Sequence, residues 1–248
     1  MIYAAAAVWL TVVVLLAWGV HAIWSSILKA KTVDGMLLPG TLVAQLGLIV
    51  GLLITGGTLG GASPGRDDEK RGAGPDAGPQ SKIPVIGPLI VALLPMAALG
   101  GMLYLLATRL GTPILDRVPR DLIAAQLPSA FAAFWDQLRA LITLAEGTLS
   151  AFRTTDAVPW RIALFIYLMV CFTVRLAPLP GNIRGHMGAI VVVGVVSWLA
   201  GTVTTGLPEA ILRLWPILSL TVGWLLLLLL FSLLVRGIVS SVQIMTKT

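Results

Sequence analysis

Two histidines, His21 and His186, and one cysteine, Cys171, are the only imidazole and thiol groups in the 248-residue chain. A catalytic zinc site takes three protein ligands and leaves one position open for water. These three donors stand at three separated places in the sequence, without the close spacing of a metal motif, so no metal and no other cofactor is expected. His21 reads as a polar residue at the end of an apolar run beside Trp18 and Ser25, and His186 as an interfacial residue near Arg184. The lone cysteine has no intrachain disulfide partner and reads as a small core residue. Arg175 and Arg184 flank the turn Ala177-Pro-Leu-Pro-Gly181. An arginine at or inside a membrane boundary is a functional candidate by default, as a contact for an anionic headgroup or a partner's carboxylate. Otherwise the two extend their charge to the headgroups from a short re-entrant turn. Gln45 and Asn182 are the amides to watch, since an interhelical amide pair adds about 0.6–2 kcal/mol to packing in lipid.

The elements that must position these groups are helices in a bilayer. Apolar residues make up 57% of the chain and charged residues 11%, less than half the roughly 25% usual in soluble domains. Mean hydropathy is +0.95. Residues 1–28, 35–65, 83–108, 185–208 and 214–235 contain no Asp, Glu, Lys or Arg, and about 20 apolar residues suffice to span hydrocarbon as a helix. This pattern excludes a soluble enzyme, a nucleic-acid-binding domain, a disordered chain and a disulfide-stapled secreted module. The net charge of +6 is spread over the segments between apolar runs, where Lys and Arg face lipid headgroups.

The expected fold is all-α: a polytopic membrane bundle of about six transmembrane helices with one amphipathic interfacial helix. Residues 1–61 hold spans one (about Tyr3–Leu28) and two (about Leu38–Leu59). The first has no basic n-region and too long an apolar run for a cleaved signal, so it reads as a retained span. The second carries Gly40, Gly47, Gly51, Gly56 and Gly60, several of them four apart. Small residues at that spacing let helix backbones approach closely, which places span two at the centre of the bundle. Residues 62–83 are polar, rich in Gly and Pro, and read as a mobile loop. Span three follows over 84–108 with Pro95 as a kink. In 109–160, Phe131, Phe134, Trp135, Leu138, Leu141, Ile142, Leu149 and Phe152 are expected on one helix face, lying in the interface or packed on the bundle. A second short piece is expected over Asp116–Gln126. Residues 161–248 hold spans four to six: about Trp160–Pro178, Asn182–Leu207 and Ile211–Ser240. Only 13 uncharged residues separate Arg161 from Arg175. The last span contains Trp224-Leu-Leu-Leu-Leu-Leu-Leu-Phe-Ser-Leu-Leu-Val235, which reads as a lipid-facing outer helix.

The stretch Leu37-Leu-Pro-Gly-Thr-Leu-Val-Ala-Gln-Leu-Gly-Leu-Ile-Val-Gly-Leu-Leu-Ile-Thr-Gly-Gly57 resembles the zinc-ligand helix of the membrane-embedded metalloproteases that include the site-2 proteases. There a Pro-Gly entry precedes HExxH, whose two His project from one helix face while the Glu activates water. The matching positions here are Ala44, Gln45 and Leu48, so both ligands and the base are missing. A second stretch, Leu164–Ile190, is similar to the segment of that superfamily in which an Asp following Ala-Pro-Ser is a further metal ligand. Asn182 stands at the matching position, and a neutral amide lacks the carboxylate's charge. The two stretches cover about 50 residues and imply a ligand-less relative. Gly60–Ser63 and Gly185–Ala189 also faintly resemble the serine and histidine motifs of rhomboid proteases, but Ser63 is followed by Pro64 and opens the polar loop.

The sequence therefore predicts a non-catalytic integral membrane protein, a pseudoprotease-like scaffold or binding protein for a membrane partner or a lipid, with a second copy of the chain as a further candidate partner. Two other readings stand beside it: a small-solute or ion permease or channel subunit, and an active intramembrane protease with atypical ligands. Ala, Gly and Arg usage with few Lys points to the cytoplasmic membrane of a bacterium.

Overall fold

A computed structural model describes residues 2–56, 87–115, 117, 131–154, 159–177, 183–203 and 206–246. Among them every regular element is a helix: α1 (Ile2–Ile27), α2 (Ala30–Met36), α3 (Leu38–Thr55), α4 (Gly87–Arg109), α5 (Thr112–Leu115), α6 (Phe131–Thr154), α7 (Pro159–Val174), α8 (Ile183–Val203) and α9 (Leu207–Thr246). Four stretches are long and apolar enough to cross a bilayer: Ile2–Ile27, Leu38–Thr55, Leu89–Arg109 and Pro208–Gln243. Pro159–Val174 and Met187–Leu199 are apolar but shorter. The polar loop 62–83, the piece Asp116–Gln126 apart from Arg117, and Ser63 and Gly60 lie outside the described residues.

The helix ends follow local chemistry. Pro39 occupies the first turn of α3, where its missing N–H costs nothing, and Gly56 ends the helix with φ 62°. That left-handed backbone favours glycine, so Gly56 serves as a cap. Between α1 and α3 the structure adds the short helix α2, which sequence reasoning passed over. It is held by Val33 and Leu37, each 1% exposed and packed with Val20, Cys171 and Val174.

α1 and α9 run in the same direction: Gly19 lies against Leu229, and the Trp24 indole N–H donates to the Ser232 hydroxyl at 2.8 Å. α8 runs opposite to α1, with Gly194 over Ala7 and Gly201 over the Tyr3 ring. α3 and α4 form an antiparallel pair: a β-carbon added at Gly47 would stand 2.7 Å from the Pro95 Cα, and one at Gly51 would stand 3.3 Å from the Val91 Cα. Pro95 leaves the Val91 carbonyl without its helical donor, and the glycine face of α3 lies against this part of α4.

Two placements differ from the sequence reading. α3 is not central: Leu38, Leu42, Leu46, Ile49, Val50, Leu53 and Ile54 are exposed, and its buried residues are Gly40, Gly47, Gly51, Leu52 and Thr55. Nor is the last helix an outer one along its whole length: Leu230, Phe231, Leu233 and Leu234 of its leucine run are exposed, but the part before the run contributes to the core. Trp215, Ser219, Leu220, Thr221, Val222, Gly223 and Leu225 of α9 are buried, and α9 touches α1, α4, α6, α7 and α8. The reason is shared. Lipid tails are as apolar as leucine, so in a bilayer hydrophobicity does not say which helix goes inside. α6 also turns differently from the expected face. Its buried stripe is Leu141, Leu144, Ala145, Thr148 and Ala151, set against α9, while Phe131, Phe134, Trp135, Ile142 and Leu149 are exposed.

Candidate functional site

The end of α1, α2, the entry to α3 and the end of α7 meet in a polar cluster. Arg175 follows the last turn of α7, where its side chain is 14% exposed, and forms an ion pair with Asp34 of α2, which is 57% exposed. The Arg175 Nε is buried with no partner among the described residues. The Tyr167 hydroxyl donates to the Met36 carbonyl at 3.2 Å, and the Cys171 thiol approaches the same oxygen at 3.6 Å. Gly40 brings the start of α3 onto this point: a β-carbon there would collide with the Cys171 carbonyl oxygen and stand 3.0 Å from the Arg175 Cγ. The absence of a side chain at Gly40 is what lets the α2–α3 turn sit on α7.

His21 lies within electrostatic reach of Arg175 and Asp34, and its Nδ1 is 3.1 Å from the Ser25 hydroxyl. That hydroxyl donates its proton to the His21 backbone carbonyl. The cluster is thus a clamp between helices. A buried pair broken on one side costs about 3–5 kcal/mol and an exposed one about 0.2–1 kcal/mol. The unequal exposure of Arg175 and Asp34 puts this pair between those limits.

Arg175 therefore finds its carboxylate in the same chain, at Asp34. Arg184 and His186 stand in the first turn of α8, and Asn182 lies outside the described residues. Ala44, Gln45 and Leu48 are half-buried on α3, with Ala44 packed against the main apolar core. Among the described residues no three His, Cys, Asp or Glu side chains gather where a metal could bind. The stretches Leu37–Gly56 and Leu164–Ala177 touch, through Gly40 on Cys171 and Arg175.

Asp34 and Tyr167 are the members of the cluster that sequence reasoning missed. Asp34 did carry a signal, being the only acid before Asp67, but nothing in the spacing joins it to Arg175.

A second feature is an apolar cleft of about 260 Å³ between α1, α8 and α9, lined by Ala6, Ala7, Leu10, Val193, Gly194, Leu214, Trp215 and Leu218 among others, with Tyr3 and Ser197 as its polar members. The buried hydroxyls elsewhere turn back on their own helices. Thr55, Thr148, Thr173, Ser219, Thr221 and Ser232 all donate to carbonyls three or four residues earlier. Apart from Ser232, which also accepts from the Trp24 indole, their polarity is spent locally.

Known families, proteins and solved structures offer no match: no family model, curated protein or solved structure is similar to this chain.

Proposed function

We propose that this chain is a non-catalytic integral membrane protein that seats an apolar guest of the bilayer, a partner's transmembrane helix or a lipid chain, in the cleft between α1, α8 and α9. The observation that carries the reading is the cleft itself, a space of about 260 Å³ with an almost wholly apolar lining. A cavity of that lining favours an apolar guest over a hydrated solute. The glycine-packed contact of α3 with α4 favours a scaffold over a permease, which needs a continuous polar path. In this reading α7 and α8, whose apolar stretches Pro159–Val174 and Met187–Leu199 are shorter than the four long spans, complete a bundle of about six, and the protein resides in a bacterial cytoplasmic membrane. A pseudoprotease-like ancestry is part of the proposal. Its support is the contact between the segments around Ala44 and Arg175, whose relatives would supply metal ligands.

The test is photo-crosslinking in native membranes with a photoreactive residue at Val193, with Leu46 on the exposed face of α3 as the control. Defined adducts at Val193, absent at Leu46 and lost when Ala6→Trp fills the cleft, are expected; equal labelling at both sites would remove the proposal. Elemental analysis checks the atypical-protease alternative. Stoichiometric zinc that falls in His21→Ala, His186→Ala and Cys171→Ala would favour it, and metal-free folded protein supports the scaffold.

A further inference from the structure

A small pocket of about 70 Å³ opens where the end of α4, the short α5 and the first turn of α7 meet, and two arginines line it, Arg109 and Arg161. Both are exposed, and neither has a carboxylate partner among the described residues. Two guanidinium groups on one pocket repel each other unless an anion lies between them. The site is built by packing. A β-carbon at Gly111 would stand 2.7 Å from the Phe165 ring, so only glycine lets the α4–α5 turn close onto α7. Ile114, 1% exposed, anchors α5 beneath it. The Arg161 guanidinium stands 5.8 Å from the centre of the Trp160 ring, a cation–π contact that restrains its direction.

The level of the pocket identifies the anion. Arg109 is the last residue of the apolar stretch Leu89–Arg109, and Arg161 opens the apolar helix α7. Arginines at span ends stand at the headgroup layer, and an exposed tryptophan such as Trp160 marks the same layer. Guanidinium groups match phosphate oxygens in bidentate geometry. We propose that Arg109 and Arg161 together bind the phosphodiester of an anionic phospholipid headgroup in this pocket. The pocket is separate from the apolar cleft, so the proposal does not depend on what the cleft holds.

The full-length chain, purified in a neutral detergent, is titrated with phosphatidylglycerol, phosphatidylcholine or inorganic phosphate. Bound lipid is counted by native mass spectrometry. Phosphatidylglycerol is expected to bind in preference to phosphatidylcholine, with affinity falling roughly tenfold or more in the Arg109→Ala/Arg161→Ala double variant, from the loss of charge-assisted bonds. The Arg109→Lys/Arg161→Lys variant should retain part of the preference, and Arg236→Ala, an exposed arginine of α9, should retain all of it. Because both pocket arginines are exposed, helicity and elution volume should match the parent. Should the double variant misfold, the same loss in Arg161→Gln alone carries the test. Unchanged phosphatidylglycerol binding in the folded double variant would overturn the proposal. So would equal binding of the two lipids. Inorganic phosphate that displaces phosphatidylglycerol at equal concentration would overturn the lipid assignment in favour of a phosphate-ion site.

Discussion

α3 and α9 invert what their compositions promise. α3 carries a ladder of glycines and yet lies at the edge of the bundle, with seven large aliphatic side chains exposed and only Gly40, Gly47, Gly51, Leu52 and Thr55 buried. α9 carries an almost unbroken leucine run, of which Leu230, Phe231, Leu233 and Leu234 are exposed, and yet its preceding part, from Trp215 to Leu225, supplies buried core residues. A small-residue face sets how closely one neighbour can approach; it does not set how many neighbours there are. The mixed stretch Trp215–Leu225 of α9 interdigitates with several helices through side chains that adapt. The two helices therefore teach that close backbone contact and central position are separate properties in a membrane protein, where packing rather than escape from water holds helices together.

If the comparison is right, the largest effect belongs to the backbone contact. Gly47→Leu forces α3 away from the Pro95 and Leu94 backbone, which cannot move aside as a side chain can. A loss of about 3 kcal/mol is expected in reversible unfolding in mixed micelles. Gly223→Ala of α9 meets Leu144 side-chain atoms at 3.1 Å, and their freedom should hold the loss to about 1 kcal/mol or less. Equal losses at Gly47 and Gly223 would break the distinction between the two helices.

Between these comes the clamp that ties α2 to α7. Asp34→Ala leaves the Arg175 guanidinium without its carboxylate, and about 1–3 kcal/mol should be lost in the same assay, given the partial exposure of the pair. The double variant Asp34→Ala/Arg175→Met should recover part of that loss, since it leaves no unpaired charge. Failure to recover would mean that Asp34 acts through α2 and not through the ion pair. Ser232→Ala removes the acceptor of the Trp24 indole N–H, the cross-helix bond of α1 with α9. A loss of about 0.6 kcal/mol is expected, small because α9 is held mainly by packing. The smallest effect is at Gly101 of α4, where an added β-carbon meets nothing within 4 Å. Gly101→Ala should be neutral or stabilise by up to about 1 kcal/mol through helix propensity.

The helical reading was legible because apolar runs and their polar breaks lie along the chain. The first span, expected over Tyr3–Leu28, is found over Ile2–Ile27, and the start of α3 at Leu38 follows from Pro39. α2 escaped notice because seven residues, Lys31 and Asp34 among them, have no membrane signature, and their order comes from Val33 and Leu37 packing on Val20 and Val174. The site was legible only in part. Arg175 stood out as an arginine beside a membrane turn, but its partner is 141 positions away in the sequence. Arg109 and Arg161 looked like ordinary span-end arginines until Gly111 and Phe165 brought their helices together.

By itself, the sequence determined that the chain is helical and apolar enough to enter a bilayer, about where α1, α3, α7 and α8 start, and which edge of α3 could meet another backbone. These are local properties of hydropathy, proline and glycine. Only the tertiary structure decided that α9 and not α3 is central, that Arg175 is matched by Asp34, and that Arg109 and Arg161 share a pocket. In lipid the solvent is as apolar as the core, so composition carries little information about which face turns inward. Shape complementarity between distant helices makes that choice.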